Sequence, residues 1–174
     1  MRIQKTVFTV GILLIMGLCI TGVTNAAAAA SDMSQWVGKW FSFKMITKGI
    51  IFDGSNFIKA SEKNSGYFKV ESWNQGDEKF EITIYSQNNG GWEVMTQYMN
   101  YLAGNNLSFL FGFQDEEQQF VGQVVGKEKK GILSGASIQT YGGLVLAEDD
   151  NQRAIGSVVL KAKMIDESKV KAPH

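Results

Sequence analysis

Residues 79–85 read KFEITIY, and this stretch decides the fold. Phe80, Ile82 and Ile84 fall on one side, and Lys79, Glu81 and Thr83 on the other. A period of two belongs to a β-strand with one buried face, because successive side chains of a strand point in opposite directions. The same grammar extends both ways along the chain. Runs at 36–47, 67–73, 79–85, 92–101, 107–113, 118–125, 132–141 and 155–165 make eight strands. Polar, glycine-rich pieces such as Asn88-Asn89-Gly90-Gly91, Gly104-Asn105-Asn106 and Asp115-Glu116-Glu117 separate them, as does the stretch at 126–131, and these suit hairpins. No intervening segment sustains a helical period. Parallel crossovers need a dozen or more residues, so neighbouring strands pair antiparallel in order.

Eight sequential antiparallel strands predict an all-β, single-domain, up-and-down barrel. Closing the ring removes exposed sheet edges, and a barrel of this size either fills with side chains or holds one small ligand. A two-sheet sandwich is the competing architecture. Ser31 to Gln35 suits a short helical turn before the first strand. Gly112, Gly122, Gly135 and Gly156 inside runs suit bends or close approach of strands. The connection at 48–65 is long and partly apolar. Either it folds over the barrel mouth as a lid, or Ile50 to Phe52 extend a bent first strand.

The N-terminus specifies an address. Arg2 and Lys5 precede an apolar run at 7–20, and small residues follow up to Ala26. Basic start, short apolar core and small-residue exit predict a secretory signal peptide over 1–26, and the run is too short to span a bilayer as a helix. The predicted organisation is thus 1–26 signal peptide, 27–166 barrel and 167–174 a flexible polar tail, with the mature protein secreted or periplasmic. Cys19, the only cysteine, lies inside the leader, preceded by Leu18 rather than a small residue. The mature chain therefore lacks disulfides.

Composition excludes several chemistries. The only histidine is His174, at the last position. Ser-His-Asp and Cys-His nucleophilic arrangements need an imidazole in the fold, and common zinc sites need His or Cys. No catalytic residue, no metal and no cofactor is expected. Without the leader the chain carries 15 basic and 17 acidic residues, which predicts no nucleic-acid partner. Gly122 to Glu128 lacks the spacing and hydroxyl of a phosphate loop. The stretch at 149–160 lacks the glycine and final glutamate of a calcium loop. Asn106-Leu107-Ser108 is a glycosylation sequon. Glu71, Glu81 and Glu93 are expected on the outer face, which argues against a glycosidase pair. Stable membrane insertion as an outer-membrane barrel is not expected either, since charges fall on several strands and the chain ends in a charged tail.

Gly38-Lys39-Trp40, preceded by Trp36-Val37, resembles the Gly-x-Trp element that opens the barrel in lipocalins and the wider calycin group, which includes fatty-acid-binding proteins and avidin. The resemblance implies that Gly38 and Trp40 close one barrel end and that a small, mostly apolar molecule is carried inside. An arginine packing on that tryptophan from the last strand is part of the group's pattern. Here the last strand offers Lys161 and Lys163, and Arg153 precedes it. Candidate ligand-binding residues are Trp73, Tyr85, Trp92, Tyr98, Phe109, Phe111 and Tyr141. The expected partner is a small apolar or amphipathic ligand. The alternative is a filled barrel that serves as an envelope interaction module for a protein or polymer partner.

Overall fold

A computed structural model describes residues 32–88, 91–114, 118–148 and 153–173. The predicted signal peptide at 1–26 and His174 lie outside the described residues. A 3₁₀ turn, η1 (Ser34–Trp36), precedes eight strands: β1 (Trp40–Phe52), β2 (Phe57–Asn74), β3 (Lys79–Asn88), β4 (Gly91–Gly104), β5 (Ser108–Gln114), β6 (Gln118–Lys129), β7 (Ile132–Glu148) and β8 (Arg153–Ile165). A second 3₁₀ turn, η2 (Glu167–Lys169), follows. The strands form a closed barrel in chain order, every neighbour antiparallel. The β1–β8 ladder, from Trp40↔Ile165 to Phe52↔Arg153, completes the ring. The architecture is the all-β up-and-down barrel predicted from the alternation.

Inside and outside follow from parity. Phe80 and Ile82 of β3 are buried, as are Phe41 and Phe43 of β1 and Phe109, Phe111 and Phe113 of β5. Bulges interrupt β2–β3 at Val70/Ser72, β4–β5 at Tyr101/Ala103 and β6–β7 at both Val121/Gly122 and Lys127/Glu128, and the β7–β8 register shifts between Gln139 and Val145. Each bulge inserts one residue, reverses the parity beyond it and tightens the local twist. Trp73, three residues beyond Val70, thereby returns to the interior against Phe80.

The stretch at 48–65 resolves into a hairpin and not a lid. β1 and β2 pair without interruption to Phe52↔Phe57, whereas β2 meets β3 only from Ser65 onward. The hairpin tip therefore extends past β3. Its turn is built on Asp53, whose carboxylate accepts the backbone N–H groups of Ser55 at 3.0 Å and Asn56 at 2.7 Å. These bonds, from Asn56 and then Ser55, hold the Asp53 carboxyl below the ordinary carboxylate range. A carboxyl depressed by folding supports the folded turn above its unfolded pKa and loses that support as pH falls through the folded value. The Ser55 and Asn56 amide shifts are thus expected to stay constant down through the ordinary carboxylate range and to move only when pH falls through the lower folded value. Amide shifts that stay flat through an acid titration would contradict this.

The C-terminal segment, predicted as a flexible polar tail over 167–174, contains the 3₁₀ turn η2. The Asp166 side chain accepts the Ser168 N–H at 2.9 Å and caps η2, and Ala172 is buried. The reason is a short hydrogen-bonded turn that polar composition alone does not reveal.

Candidate ligand cavity

The barrel has a closed end and an open end. At the closed end, Trp36 enters from η1 and is 2% exposed. Its ring meets Phe109 edge-on at 5.3 Å and stacks on Phe41 at 6.4 Å. Its indole N–H donates to the carbonyl of Asn106 at 2.8 Å, tying η1 to the β4–β5 turn. Phe80, Tyr101, Trp73 and Phe109 complete this floor in an aromatic chain with centroid spacings of 4.5–6.1 Å. Burial, with a smaller contribution from Glu78, raises the Tyr101 phenol above its ordinary value, and its hydroxyl donates to the Gly104 carbonyl.

Trp36, not Trp40, therefore plugs the barrel. Trp40 has the parity of Lys44 and Ile46, lies outside the core cluster, and packs on Tyr85 at 5.4 Å with the Lys69 ammonium 5.9 Å from its ring. The Gly-x-Trp element here seals the outer wall. Gly38, at φ +78°, turns the chain from η1 into β1, and its N–H donates to Val70 O at 2.7 Å. Lys69 also pairs with Glu71 at 2.9 Å; that bond, then the Coulombic pull of Glu71, Tyr85 and Glu167, raises its pKa, with burial acting against it.

Above the floor is a cavity of about 310 Å³. Its wall is apolar, built largely from Phe43, Phe68, Ile82, Phe111, Phe120 and Leu160, with Met45, Met95 and Met99 adding adaptable thioethers. Glu62, Asn64, Ser86, Glu93 and Gln118 supply its polar groups. Among the described residues no lysine or arginine lines it. A water occupies about 30 Å³ in the liquid, so the space equals roughly ten waters. Small-molecule pockets start at about 300 Å³.

Glu93 corrects an expectation. Met95, Met99 and Tyr101 of β4 point inward, so the odd positions face the cavity, and Glu93 faces it with them while Trp92 faces out. Among the seven candidate ligand residues only Phe111 lines the cavity. Trp73 and Phe109 belong to the floor beneath it. Tyr85 lies on the outer wall with Trp40, and Trp92 pairs there with Tyr67 at 5.8 Å. Tyr98 is half exposed under the Lys79 ammonium. Tyr141 is the extra residue of the β6–β7 bulge, 68% exposed, and its hydroxyl donates to the Gln123 side chain. Sequence reasoning missed Glu62, Asn64, Ser86 and the three methionines. The signal for the methionines was the parity of β1 and β4, read from Phe43 and Met99.

Among the described residues no group of three or more His, Cys, Asp or Glu side chains is placed to hold a metal ion. No helix among them is long and apolar enough to cross a membrane.

No family model matches this chain, and no curated protein is similar enough to match. Among solved structures the chain is similar to the siderocalin Ex-FABP, which functions through dual ligand specificities; identity is 11%, coverage 72% of this chain and 73% of that one, and TM-score 0.35. It is also similar to Ail, the attachment invasion locus protein of Yersinia pestis in complex with the heparin analogue sucrose octasulfate, at 9% identity, 74% and 98% coverage and TM-score 0.37. The likeness to both is a resemblance between β-barrels, of the lipocalin type in the first case, and carries no function across.

Proposed function

We propose that this chain is an exported, non-catalytic barrel that binds or carries a small apolar or amphipathic molecule inside its open half. The cavity carries the reading: an apolar chamber of about 310 Å³, sealed below by the Trp36 floor. Burying apolar ligand surface there is worth about 25 cal/mol per Å², and the methionines let the wall adjust. Glu62 and Glu93, with no cationic residue among the described lining, favour an uncharged or cationic head over an anionic one. A filled interaction module is the weaker alternative, because the interior holds this space. The leader at 1–26 supports placement outside the cytoplasm.

The test is titration with N-phenylnaphthylamine, an uncharged fluorescent probe. Saturable binding is expected, with perturbed methyl resonances for Met45, Met95 and Met99. Met95→Trp fills the chamber and should weaken the probe at least about tenfold, or about 1.4 kcal/mol. Binding that ignores Met95→Trp, or no binding by the parent protein, would refute the reading.

A further inference from the structure

The ring places six lysines on one stretch of outer wall. Across β8, β1 and β2 the outward rungs read Ile155–Ile50–Lys59, Ser157–Lys48–Ser61, Val159–Ile46–Lys63, Lys161–Lys44–Ser65 and Lys163–Ser42–Tyr67. All six lysines are exposed, and none of the five rungs holds an aspartate or glutamate. Glu62, the acid nearest in sequence, has the opposite parity and lines the cavity. Lys69 follows on the next outward rung, opposite Trp40, and is paired there with Glu71, while Lys79 of β3 pairs with Asp77. Lys44 and Lys161 are direct cross-strand partners, an arrangement of like charges that destabilises a sheet.

Apolar side chains alternate with these charges. Ile46, Ile50, Ile155 and Val159 are 37–50% exposed on the same rungs. Beyond them the hairpin tip carries Phe57, 79% exposed and packed at a tilt on Phe52 at 4.9 Å. At about 3.4 Å per residue and about 4.8 Å between strands, the rungs cover a strip roughly 27 Å long and 10 Å wide.

We propose that this β8–β1–β2 face docks peripherally on an anionic lipid surface, with the lysines over the headgroups and the Phe57 tip dipping between them. Two features select lipid over a soluble polyanion. The isoleucines and Val159 offer apolar contact that a fully hydrated polymer does not reward. An exposed aromatic at the end of the β1–β2 hairpin, where β2 runs past β3 while β1 stays paired with β8, suits the headgroup boundary, where a ring gains burial and the adjoining backbone stays wet. Basic residues at an anionic leaflet each add about fivefold to partitioning, so six within one strip suffice for reversible attachment without insertion of the barrel. The strip borders the hairpin that rises beside the cavity, so docking sets the open end close to the lipid.

Flotation with vesicles tests the proposal. Phosphatidylcholine vesicles are compared with vesicles of equal parts phosphatidylcholine and phosphatidylglycerol, with heparin as the soluble polyanion. The parent protein should partition onto the anionic vesicles at least about tenfold better than onto phosphatidylcholine, and the preference should fade as salt shortens the Debye length. Lys44→Gln with Lys161→Gln should reduce the partitioning about 25-fold without lowering the melting temperature, since it removes a repulsive pair. Phe57→Asp, at an exposed position, should also weaken it. Equal binding to both vesicle types, or unchanged binding by the double lysine variant, would overturn the proposal. Tight heparin binding with no vesicle binding would assign the face to a soluble polyanion and overturn it equally.

Discussion

Trp36→Ala is expected to destabilise the barrel by about 3–5 kcal/mol, the range for emptying a large aromatic from a packed site. The indole is 2% exposed, abuts Phe41 and Phe109, and ties η1 to Asn106 O. Three losses combine: the transfer of the ring from water, the void that a rigid ring of strands cannot collapse into, and the tether to the β4–β5 turn. Against a typical net stability of about 5–15 kcal/mol, the variant should unfold at a much lower urea midpoint with little change in slope. Trp36→Phe keeps most of the contact area and loses the hydrogen bond, worth about 1 kcal/mol, and should fall between the two. A midpoint change for Trp36→Ala no larger than that for Trp36→Phe would show that the floor does not depend on this side chain.

The second large effect is expected at Gly66, where β2 leaves the projecting hairpin and joins β3. A Cβ on Gly66 would sit 2.0 Å from the carbonyl oxygen of Tyr85 and 3.0 Å from the Ser86 Cα. Both obstacles are backbone, held in the β2–β3 ladder at Gly66↔Ser86, so no rotamer change relieves them. Overpacking against a fixed wall costs about 1–3 kcal/mol for a small excess; Gly66→Ala should reach the top of that range, and Gly66→Val should exceed it. Gly135→Ala is the control, because a Cβ there meets nothing within 4 Å. Restricting the unfolded chain at such a site is neutral or stabilising by up to about 1 kcal/mol. If thermal melts rank Gly66→Ala and Gly135→Ala as equals, the close approach of β2 to β3 is not as described.

The alternation in 79–85 was enough to place Phe80, Ile82 and Ile84 on the inner face of β3, and repeating the reading gave eight strands in ring order. It was less reliable wherever a bulge intervened. Bulges are made by backbone hydrogen-bond register, which hydropathy does not encode, so the parity on one side of Tyr141 does not carry to the other. Aromatic residues misled in a second way. Large rings are assigned to interiors by default, yet this barrel covers its outer wall with Trp40, Tyr67, Tyr85 and Trp92. Trp92 and Glu93 show the conflict: hydropathy puts the tryptophan inside, whereas the ladder from Met95 to Tyr101 puts the glutamate there. The basic strip was hidden for a similar reason. Its lysines are scattered over more than a hundred residues and cancel in the net charge; only the pairing of β1 with both β2 and β8 gathers them.

The ladder that joins the first strand to the last has a kinetic consequence. Trp40 must find Ile165 across 125 residues, so the ring shuts only after nearly the whole chain has emerged. Hairpins such as β6–β7, closed by Lys130 and Gly131 at φ 55° and 76°, form locally and early. The β1–β8 seam adds the largest loop-closure entropy and the highest contact order, which predicts slow, late, all-or-none completion. Until then the inward faces of both terminal strands stay open to solvent. A nascent copy is thus an unsealed sheet with two bare edges, and its most hazardous moment comes just before the final residues of β8 arrive.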